Sequence, residues 1–337
     1  MASKIRWALL STANINKALI DPIRQAKRSE LVAVASRDAA KAQAYAQQNG
    51  IPKAYGSYEA LLADPDIDAI YNPLPNTLHS EWTIKAADAG KHVLCEKPLV
   101  TTLAEFEQVE AAAQRNKVTV FEAFMYLHHP QTRKVQELVA AGEIGKIQQI
   151  NGWFHFYLPP ERATNIRLSA TLDGGSLWDV GVYPNSASIV MAQAGGAGAA
   201  PQTVWANKIV GETGVDVAMR AQLQFANGLV AQISSGLRTP FREAVYVIGD
   251  KGAIHLIEPW KPGIAGKESR CLLTKLDGSE QIITTPAINP YLCEVEAMEA
   301  CILDGAAPVV PLSLSRNFLR SALAIHEAAQ TGQVVKL

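Results

Sequence analysis

A lysine and a proline stand at the carboxyl end of a short apolar stretch. The stretch Val93-Leu94-Cys95 ends at Glu96-Lys97-Pro98. A lysine at the carboxyl end of a strand in an α/β sheet points into the crevice where such sheets bind ligands. The following proline forms the one kind of peptide bond that is readily cis, so this turn can hold the lysine in a fixed direction. Lys97 is therefore a candidate for chemistry, and the alternative is a solvated lysine in a loop.

A second set of residues is suited to bind a phosphate. The apolar stretch 31–35 is followed by Ser36-Arg37-Asp38. In a dinucleotide-binding sheet the adenine ribose lies at this place, and an acidic residue there selects a free 2′-hydroxyl. Ser36 and Arg37 instead offer a hydroxyl and a guanidinium that suit a 2′-phosphate. The pair favours NADP and leaves NAD open, and the alternative is a solvated Arg37 beside Asp38.

The first turn between a strand and a helix lacks the glycines of a dinucleotide-binding fingerprint. It reads Leu10-Ser11-Thr12-Ala13-Asn14-Ile15-Asn16. Ser11 and Ala13 are the smallest residues after glycine, and the turn amides and the helix dipole remain available to a pyrophosphate. The turn is compatible with nucleotide binding, and an ordinary strand–helix connection is the alternative.

Strands and helices alternate through the first part of the chain, which must position these residues. The predicted strands cover residues 5–10, 31–35, 69–71, 93–95 and 118–121. Helical patterns follow them, including 39–49, which Asp38 can cap and Gly50 can end, and 103–116. This alternation predicts a doubly wound parallel sheet, a Rossmann domain for NAD(P), over residues 1–123.

The pattern changes to an antiparallel sheet in residues 124–337. Val217–Phe225 and Leu229–Ile233 alternate apolar and polar residues on either side of Asn227-Gly228, which predicts a hairpin. Further strand-like stretches cover residues 147–156, 204–209, 245–248 and 253–257, and a helical pattern covers 317–330. We expect an α/β domain with a large, mostly antiparallel open sheet for substrate binding and oligomerisation, its C-terminal helix free to pack back on the first domain. If its uncovered face is apolar, the chain forms a homo-oligomer, most simply a dimer.

Composition narrows the class of protein. The 337 residues are long enough for two domains, and 31 basic against 32 acidic residues leave a net charge of −1 without a basic block, which argues against nucleic acid as a partner. The start Met1-Ala2-Ser3-Lys4 lacks an apolar signal segment and no long apolar stretch follows, so we expect a cytoplasmic protein without a membrane partner. The four cysteines, Cys95, Cys271, Cys293 and Cys301, lack the spacing of a metal site or disulfide framework and are expected to be reduced.

Three motifs together resemble one enzyme family. They are the segments 96–98 (Glu-Lys-Pro), 72–79 (Asn-Pro-Leu-Pro-Asn-Thr-Leu-His) and 174–183 (Gly-Gly-Ser-Leu-Trp-Asp-Val-Gly-Val-Tyr). Over nearly the whole chain the sequence resembles the Gfo/Idh/MocA oxidoreductases, in particular the branch with D-xylose dehydrogenases, dimeric dihydrodiol dehydrogenases and glucose–fructose oxidoreductase. The resemblance implies a Rossmann domain that binds NAD(P) and a C-terminal domain that supplies the substrate side.

The resemblance also implies roles for individual residues. Lys97 becomes the catalytic lysine, with a cis bond to Pro98, Asp179 the acidic residue of the substrate site, and Tyr183 the proton donor or acceptor. Arg167 joins Lys97, Asp179 and Tyr183 on the substrate side, and no metal is implied. The residues that the resemblance places at the cofactor are Ser11, Thr12, Ala13, Asn14, Ile15, Leu74, Asn76, His79, Glu96 and Lys97.

The implied chemistry is consistent with the properties of these side chains. Oxidation of an alcohol needs a base for the hydroxyl proton while hydride leaves the same carbon, and a tyrosine with a pKa of about 10 is a poor base at neutral pH. An ammonium about 4 Å away, at an effective dielectric of about 20, stabilises the phenolate by ~4 kcal/mol, or roughly three pKa units. A lysine beside Tyr183 can therefore make it a base, and the alternative for Tyr183 is a core tyrosine with a satisfied hydroxyl.

The sequence therefore predicts an NADP-preferring oxidoreductase that acts on the CH–OH group of a sugar or polyhydroxy substrate, similar to D-xylose 1-dehydrogenase. Two alternatives stay open. One is a trans-1,2-dihydrodiol dehydrogenase, which shares the tyrosine. The other is a non-catalytic regulator that senses NAD(P) on the same fold, against which the joint presence of Lys97, Asp179 and Tyr183 argues.

Overall fold

The chain folds into two compact units, as a computed structural model of residues 4–337 shows. The first unit contains the residues up to Met125 together with Pro290–Leu312, and the second contains Tyr126–Asn289 and Ser313–Leu337. The segment Met1–Ser3, which entered the prediction that no signal segment is present, lies outside the described residues.

The first unit contains a parallel sheet of six strands. The strands are β1 (Ile5–Leu9), β2 (Ser29–Ala35), β3 (Lys53–Tyr55), β4 (Ala69–Asn72), β5 (His92–Glu96) and β6 (Val120–Ala123). Their order in the sheet is β3-β2-β1-β4-β5-β6, and every neighbouring pair is parallel. The predicted doubly wound sheet is thus confirmed. Its order reverses between β1 and β4, the place at which sheets of this kind bind ligands.

Helices connect these strands. They are α1 (Asn16–Gln25), α2 (Ala39–Asn49), α3 (Tyr58–Leu62), α4 (Asn76–Asp88) and α5 (Leu103–Asn116). The Asp38 side chain accepts the N–H of Lys41 and Gly50 adopts the left-handed conformation with φ of 60°, so both predicted ends of α2 are confirmed. Strand β6 begins two residues later than predicted, because Lys117 is left-handed and the N–H of Val118 still bonds the helix carbonyl of Ala113.

The second unit contains a sheet of nine strands. They are β7 (Ile147–Tyr157), β8 (Thr203–Val210), β9 (Asp216–Gln224), β10 (Val230–Gly236), β11 (Arg238–Gly249), β12 (Gly252–Leu256), β13 (Ser269–Lys275), β14 (Glu280–Thr285) and β15 (Val335–Lys336). Their order is β14-β13-β12-β11-β7-β10-β9-β8-β15. The predicted hairpin is confirmed as the antiparallel pair β9–β10, and the one parallel pair in this sheet is β7–β10.

One helix of the second unit is buried almost completely. The helices that follow β6 are α6 (Met125–His128), α7 (Pro130–Ala140), α8 (Val182–Ala194), α9 (Pro290–Asp304) and α10 (Leu312–Thr331), of which α9 belongs to the first unit. Helix α8 packs against β7, where a Cβ on Gly152 would lie only 3.1 Å from Pro184. Because α8 is buried on all sides, it has no exposed polar face. Its sequence therefore lacks the alternation of apolar and polar faces by which a surface helix is predicted.

Helix α10 begins at Leu312, five residues before its predicted start, directly after Pro311. Within residues 4–337, no helix combines the length and apolarity that a membrane span requires.

Candidate active site

In the first unit, Lys97 directly follows β5, and its bond to Pro98 is cis, as predicted. A buried histidine fixes the turn. His79 lies on α4 with Nδ1 2.7 Å from the carbonyl oxygen of Pro98 and Nε2 2.7 Å from that of Leu74. The imidazole thereby connects the loop after β4 to the turn after β5, which limits the positions that the backbone of Lys97 can take.

The protonation of His79 follows from this environment. Burial and the charge of Lys97 lower the pKa of His79 to about 4, although both carbonyl contacts favour the charged ring. At neutral pH the ring is therefore neutral and has a single N–H to donate. The neutral ring donates to one of the two carbonyl oxygens, that of Pro98 or that of Leu74, and packs against the other, so His79 is a structural link of the turn.

Behind this turn lies a group of buried acidic side chains. The hydroxyl of Tyr71, on β4, donates to Glu96 Oε1 at 2.6 Å. Tyr291 and Glu294, one turn apart on α9, interact electrostatically with Glu96. Glu294 is fully buried, and neither of its carboxyl oxygens has a hydrogen-bond partner among residues 4–337. Burial and Glu96 hold the pKa of Glu294 well above its usual value, which favours the protonated, neutral form of this carboxyl group.

Two helices of the first unit begin without a side-chain cap, within the described residues. Helices α2, α3 and α5 are capped by Asp38, Ser57 and Thr102. Helices α1 and α4 begin after Ile15 and Pro75, whose side chains make no capping bond. These two helices follow β1 and β4, the strands at which the sheet order reverses. The N–H groups of Asn16, Lys17 and Ala18 at the start of α1 donate to backbone carbonyls of the preceding turn, so it is the helix dipole that favours the pyrophosphate of a dinucleotide here.

The first turn is shaped by its own polar groups. The hydroxyl of Ser11 accepts the N–H of Ala13 at 3.2 Å, and the Asn16 side chain donates to the carbonyl of Ser11 at 2.7 Å. Thr12 and Asn14 lie between these bonded residues and are half-buried and exposed, respectively. A turn without glycine is therefore held by short side-chain contacts.

The residues after β2 also suit a phosphate group. Ser36 is 8% exposed, and its hydroxyl accepts the N–H of Asp38 at 3.3 Å. Arg37 is exposed and interacts with the hydroxyl of Tyr58, whose ring packs edge-on against Trp82 at 4.9 Å. The partner of the guanidinium is thus a neutral hydroxyl, which does not neutralise the positive charge that a phosphate would bind.

In the second unit, Asp179 and Arg167 form an ion pair. Arg167 Nε donates to Asp179 Oδ2 at 2.7 Å, and the two side chains are 44% and 13% exposed. The backbone also holds the two segments together, because the carbonyl of Arg167 accepts the N–H of Gly175 at 2.8 Å. A Cβ on Gly174 would lie 2.6 Å from that same carbonyl oxygen, so only glycine allows this approach.

Asp179 lies on a short π-helix, Leu177–Gly181, that leads directly into α8 and Tyr183. A buried carboxylate holds its start. Asp216 Oδ2 accepts the hydroxyl of Ser176 at 2.6 Å and the N–H of Leu177 at 2.9 Å. Gly175 has φ of 115°, and a Cβ there would lie 2.2 Å from Asp216 Oδ1. Asp216, which the sequence analysis did not identify, thus fixes the segment that carries Asp179.

Tyr183 lies among aromatic rings that we name the Tyr183 cluster: Tyr126, Phe154, Tyr183 and Trp260. The ring centroids of Phe154, Trp260 and Tyr126 lie 5.4, 5.6 and 5.8 Å from that of Tyr183. The Tyr183 side chain is 6% exposed. The cluster therefore packs apolar ring surface around the phenol of Tyr183.

The two parts of the chain each match a model of one enzyme family. The model of an oxidoreductase family with an NAD-binding Rossmann fold matches residues 5–124, and the model of the GFO/IDH/MocA C-terminal domain matches residues 132–255. The chain belongs to the Gfo/Idh/MocA oxidoreductase family. Its first unit is accordingly the NAD(P)-binding Rossmann domain of this family.

Individual members of the family are similar over nearly the full length. D-xylose 1-dehydrogenase (NADP(+)) 2 of Haloferax volcanii is 38% identical over 98% of this chain and 99% of its own. A trans-1,2-dihydrobenzene-1,2-diol dehydrogenase of Bos taurus is 30% identical over 91% of this chain and 92% of its own. The crystal structure of a 3-ketoreductase from Actinomadura kijaniata with NADP and TDP-benzene has a TM-score of 0.86 and 30% identity, over 98% of both chains.

The predicted site residues are distributed over both units, and those of the first turn, Ser36, Arg37 and Asn76 lie in the first unit. Two further sets can be named. One contains Leu74, His79, Glu96 and Lys97 in the Rossmann domain, and the other contains Arg167, Asp179 and Tyr183 in the second unit. Sequence reasoning missed the residues that support them, chiefly Asp216 and Glu294. Among residues 4–337 no three His, Cys, Asp or Glu side chains are grouped so that they could hold a metal ion.

Proposed function

We propose that this protein is an NADP-preferring dehydrogenase that oxidises the CH–OH group of a sugar such as an aldose. The observation that carries the proposal is the full-length similarity to an NADP-dependent D-xylose dehydrogenase. The site supports it, because Lys97, Asp179 and Tyr183 are each held by specific neighbours.

In the proposed reaction NADP, which Ser36 and Arg37 would hold at the end of β2, would supply the acceptor for the hydride of the hydroxyl-bearing carbon. Tyr183 takes the hydroxyl proton as that carbon becomes a carbonyl. Lys97 is proposed to act on the same hydroxyl group through its ammonium, since a positive charge stabilises the negative charge that develops on that oxygen. Asp179, oriented by Arg167, accepts hydrogen bonds from hydroxyl groups of the sugar.

The preference for NADP rests on Ser36 and Arg37. An exposed guanidinium at the end of β2 can form charge-assisted hydrogen bonds to a 2′-phosphate, and Ser36 places no negative charge there. The 3-ketoreductase of known structure, which binds NADP, shares the fold of the whole chain.

A second candidate is a dehydrogenase of aromatic trans-dihydrodiols. The observation in its favour is the Tyr183 cluster, since a wall of aromatic rings also accepts an apolar ring. The bovine enzyme that acts on such a diol is 30% identical to this chain.

A substrate panel separates these candidates. The purified protein is mixed with NADP or NAD and with aldoses, ketoses or aromatic dihydrodiols, and the reduced cofactor is measured by its absorbance. We expect turnover with at least one aldose and a higher kcat/KM with NADP. Turnover on dihydrodiols alone would favour the second candidate, and cofactor binding without any turnover would identify a regulator and contradict the proposal.

A further inference from the structure

One carboxyl group beside the Tyr183 cluster has no role in the reaction described above. Glu243 lies on β11 directly opposite Phe154 of β7 in the antiparallel ladder. Residues directly opposite each other in such a pair project from the same face of the sheet. The ring of Phe154 contacts that of Tyr183, so the Glu243 side chain lies on the face that carries the Tyr183 cluster.

The surroundings of Glu243 set its charge. Its carboxylate accepts the backbone N–H of Trp260, a member of the cluster, and Glu258 and Lys261 are the charged groups that act on it from the adjacent segment. Burial and the like charge of Glu258 raise the pKa of Glu243 to about 7, against the opposing effects of Trp260 and Lys261. Glu243 therefore changes charge near neutral pH, while Tyr183 faces the same region from α8.

A partly buried carboxylate beside aromatic rings is suited to recognise a sugar. Apolar rings cover the C–H faces of such a ligand, and a few placed polar groups bind its hydroxyls. A carboxylate has about four acceptor positions, of which the N–H of Trp260 uses one. Glu243 is half-buried, so its remaining positions are accessible.

We propose that Glu243 binds hydroxyl groups of the sugar substrate in the second unit and thereby determines which sugars the enzyme accepts. This inference rests on the proposed function. The charged form is the stronger acceptor, so the affinity for the sugar rises as the pH increases through the neutral range and then levels off.

The test compares the unmodified protein with Glu243→Gln and with Glu258→Gln. For each protein, kcat and KM for the best aldose are measured across the neutral pH range, and the Kd for NADP is measured by fluorescence titration. For Glu243→Gln we expect KM to rise roughly tenfold or more, the loss of one hydrogen bond to a charged group, with a much smaller change in kcat. The fall in KM with increasing pH is then lost, whereas any pH dependence of kcat that comes from Tyr183 remains. The Kd for NADP stays unchanged, and an unchanged melting temperature shows that the second unit of the variant is folded.

Glu258→Gln is the matched control, because it removes the neighbouring charge and leaves Glu243 in place. We expect it to move the pH-dependent fall in KM to lower pH, while KM at high pH stays the same. If Glu243→Gln fails to fold, the shift of the pH dependence in Glu258→Gln alone shows whether Glu243 binds the sugar. An unchanged KM and pH profile in Glu243→Gln, or an unshifted profile in Glu258→Gln, would overturn this inference. If the unmodified protein turns over no sugar at all, the proposed function fails and this inference fails with it.

Discussion

Neighbouring side chains restrict the orientation of individual residues at the site. His79 holds the turn of Lys97, and Arg167 holds Asp179. Such support reduces the reorganisation that a catalytic group needs when the substrate binds. The chemistry of the site therefore depends on the neighbours that hold Lys97 and Asp179 as well as on these two residues.

The charge of Arg37 should determine the affinity for NADP relative to NAD. Arg37→Ala removes the guanidinium that pairs with a 2′-phosphate, and loss of such a charge-assisted bond is worth about 1.5–3 kcal/mol. We expect the Kd for NADP to rise roughly tenfold to a hundredfold, while the Kd for NAD stays nearly constant. Fluorescence titration of both cofactors measures this. Equal affinities for NADP and NAD in the unmodified protein would show that Ser36 and Arg37 have been misinterpreted.

Glu294 provides a prediction about stability and pH. Its pKa is raised in the folded state by burial and by Glu96, so the folded chain holds a proton that the unfolded chain releases above about pH 4.3. The folded state then binds more protons, and the free energy of unfolding falls by about 1.4 kcal/mol per pH unit above that point, until the folded-state pKa is reached. Glu294→Gln removes this loss, so the variant should be more stable than the unmodified protein at neutral pH and similar to it at acidic pH.

Denaturant unfolding at several pH values measures the difference. Glu299→Gln is the control, because Glu299 is also buried on α9 but its Oε1 accepts the hydroxyl of Ser29 and the N–H of Arg28. Glu299→Gln should not increase the free energy of unfolding at neutral pH. A stability difference between Glu294→Gln and the unmodified protein that is the same at every pH would contradict the assigned protonation state.

At the scale of elements, the π-helix Leu177–Gly181 connects the glycine-rich stretch to α8. Asp216→Ala removes the acceptor of Ser176 and Leu177, so we expect Asp179 to lose its fixed orientation. The predicted result is a fall in kcat/KM for the sugar of roughly tenfold or more, as unpaired buried donors cost about 1–3 kcal/mol. The Kd for NADP should not change, because Asp216 belongs to the second unit.

Asp216→Asn is the matched control, since an amide oxygen at the same place still accepts both hydrogen bonds. It should keep most of the activity that Asp216→Ala loses. Steady-state kinetics at saturating NADP gives the comparison. If Asp216→Ala retains normal kcat and KM, the carboxylate does not position Asp179.

Sequence patterns predict an element well when its signals are local. Helix α2 has Asp38 at its start and Gly50 at its end, and both ends are where the pattern places them. Helix α8 escaped prediction because nearly all of its residues are buried, which removes the polar face that shows periodicity. Asp216 escaped because its partner Ser176 lies 40 residues away, and Glu294 because Glu96 lies far before it in the chain. Contacts of this kind depend on tertiary packing that no local signal shows.

At the scale of the whole molecule, the nine-stranded sheet has a face opposite to α8. Gly152 packs on α8, so its neighbour Asn151 projects from the other face. The strand register aligns one row of side chains across this face: Trp205, Gln222, Gln232, Asn151, Tyr246, His255, Leu272 and Ile282. Trp205 is 44% exposed and Ile282 is 63% exposed. Trp205, Tyr246, Leu272 and Ile282 share this row with polar side chains, and exposed apolar side chains of this size are typical of a surface that associates.

We therefore predict a homodimer formed through this face. Light scattering should give twice the chain mass of 36.3 kDa at micromolar concentration. The double variant Trp205→Arg and Ile282→Arg should shift the mass towards the monomer, because it places like charges in the contact. Leu276→Arg, at a side chain that is 77% exposed and lies outside the row, is the control and should stay dimeric. A monomer mass for the unmodified protein would contradict the prediction.

We propose that Lys97 and Tyr183, which belong to different units, both act in the transfer of the hydroxyl proton. If the two side chains act on the same proton, the reductions in kcat that their substitutions cause do not multiply in the double variant. The decisive measurement is kcat with NADP and the best aldose for the unmodified protein, Lys97→Met, Tyr183→Phe and the double variant, with NADP binding checked in each. We predict that each single change lowers kcat by roughly a hundredfold or more while NADP still binds, and that the double variant is hardly slower than the slower single one. Losses that multiply in the double variant, or near-normal turnover of Tyr183→Phe, would contradict the claim.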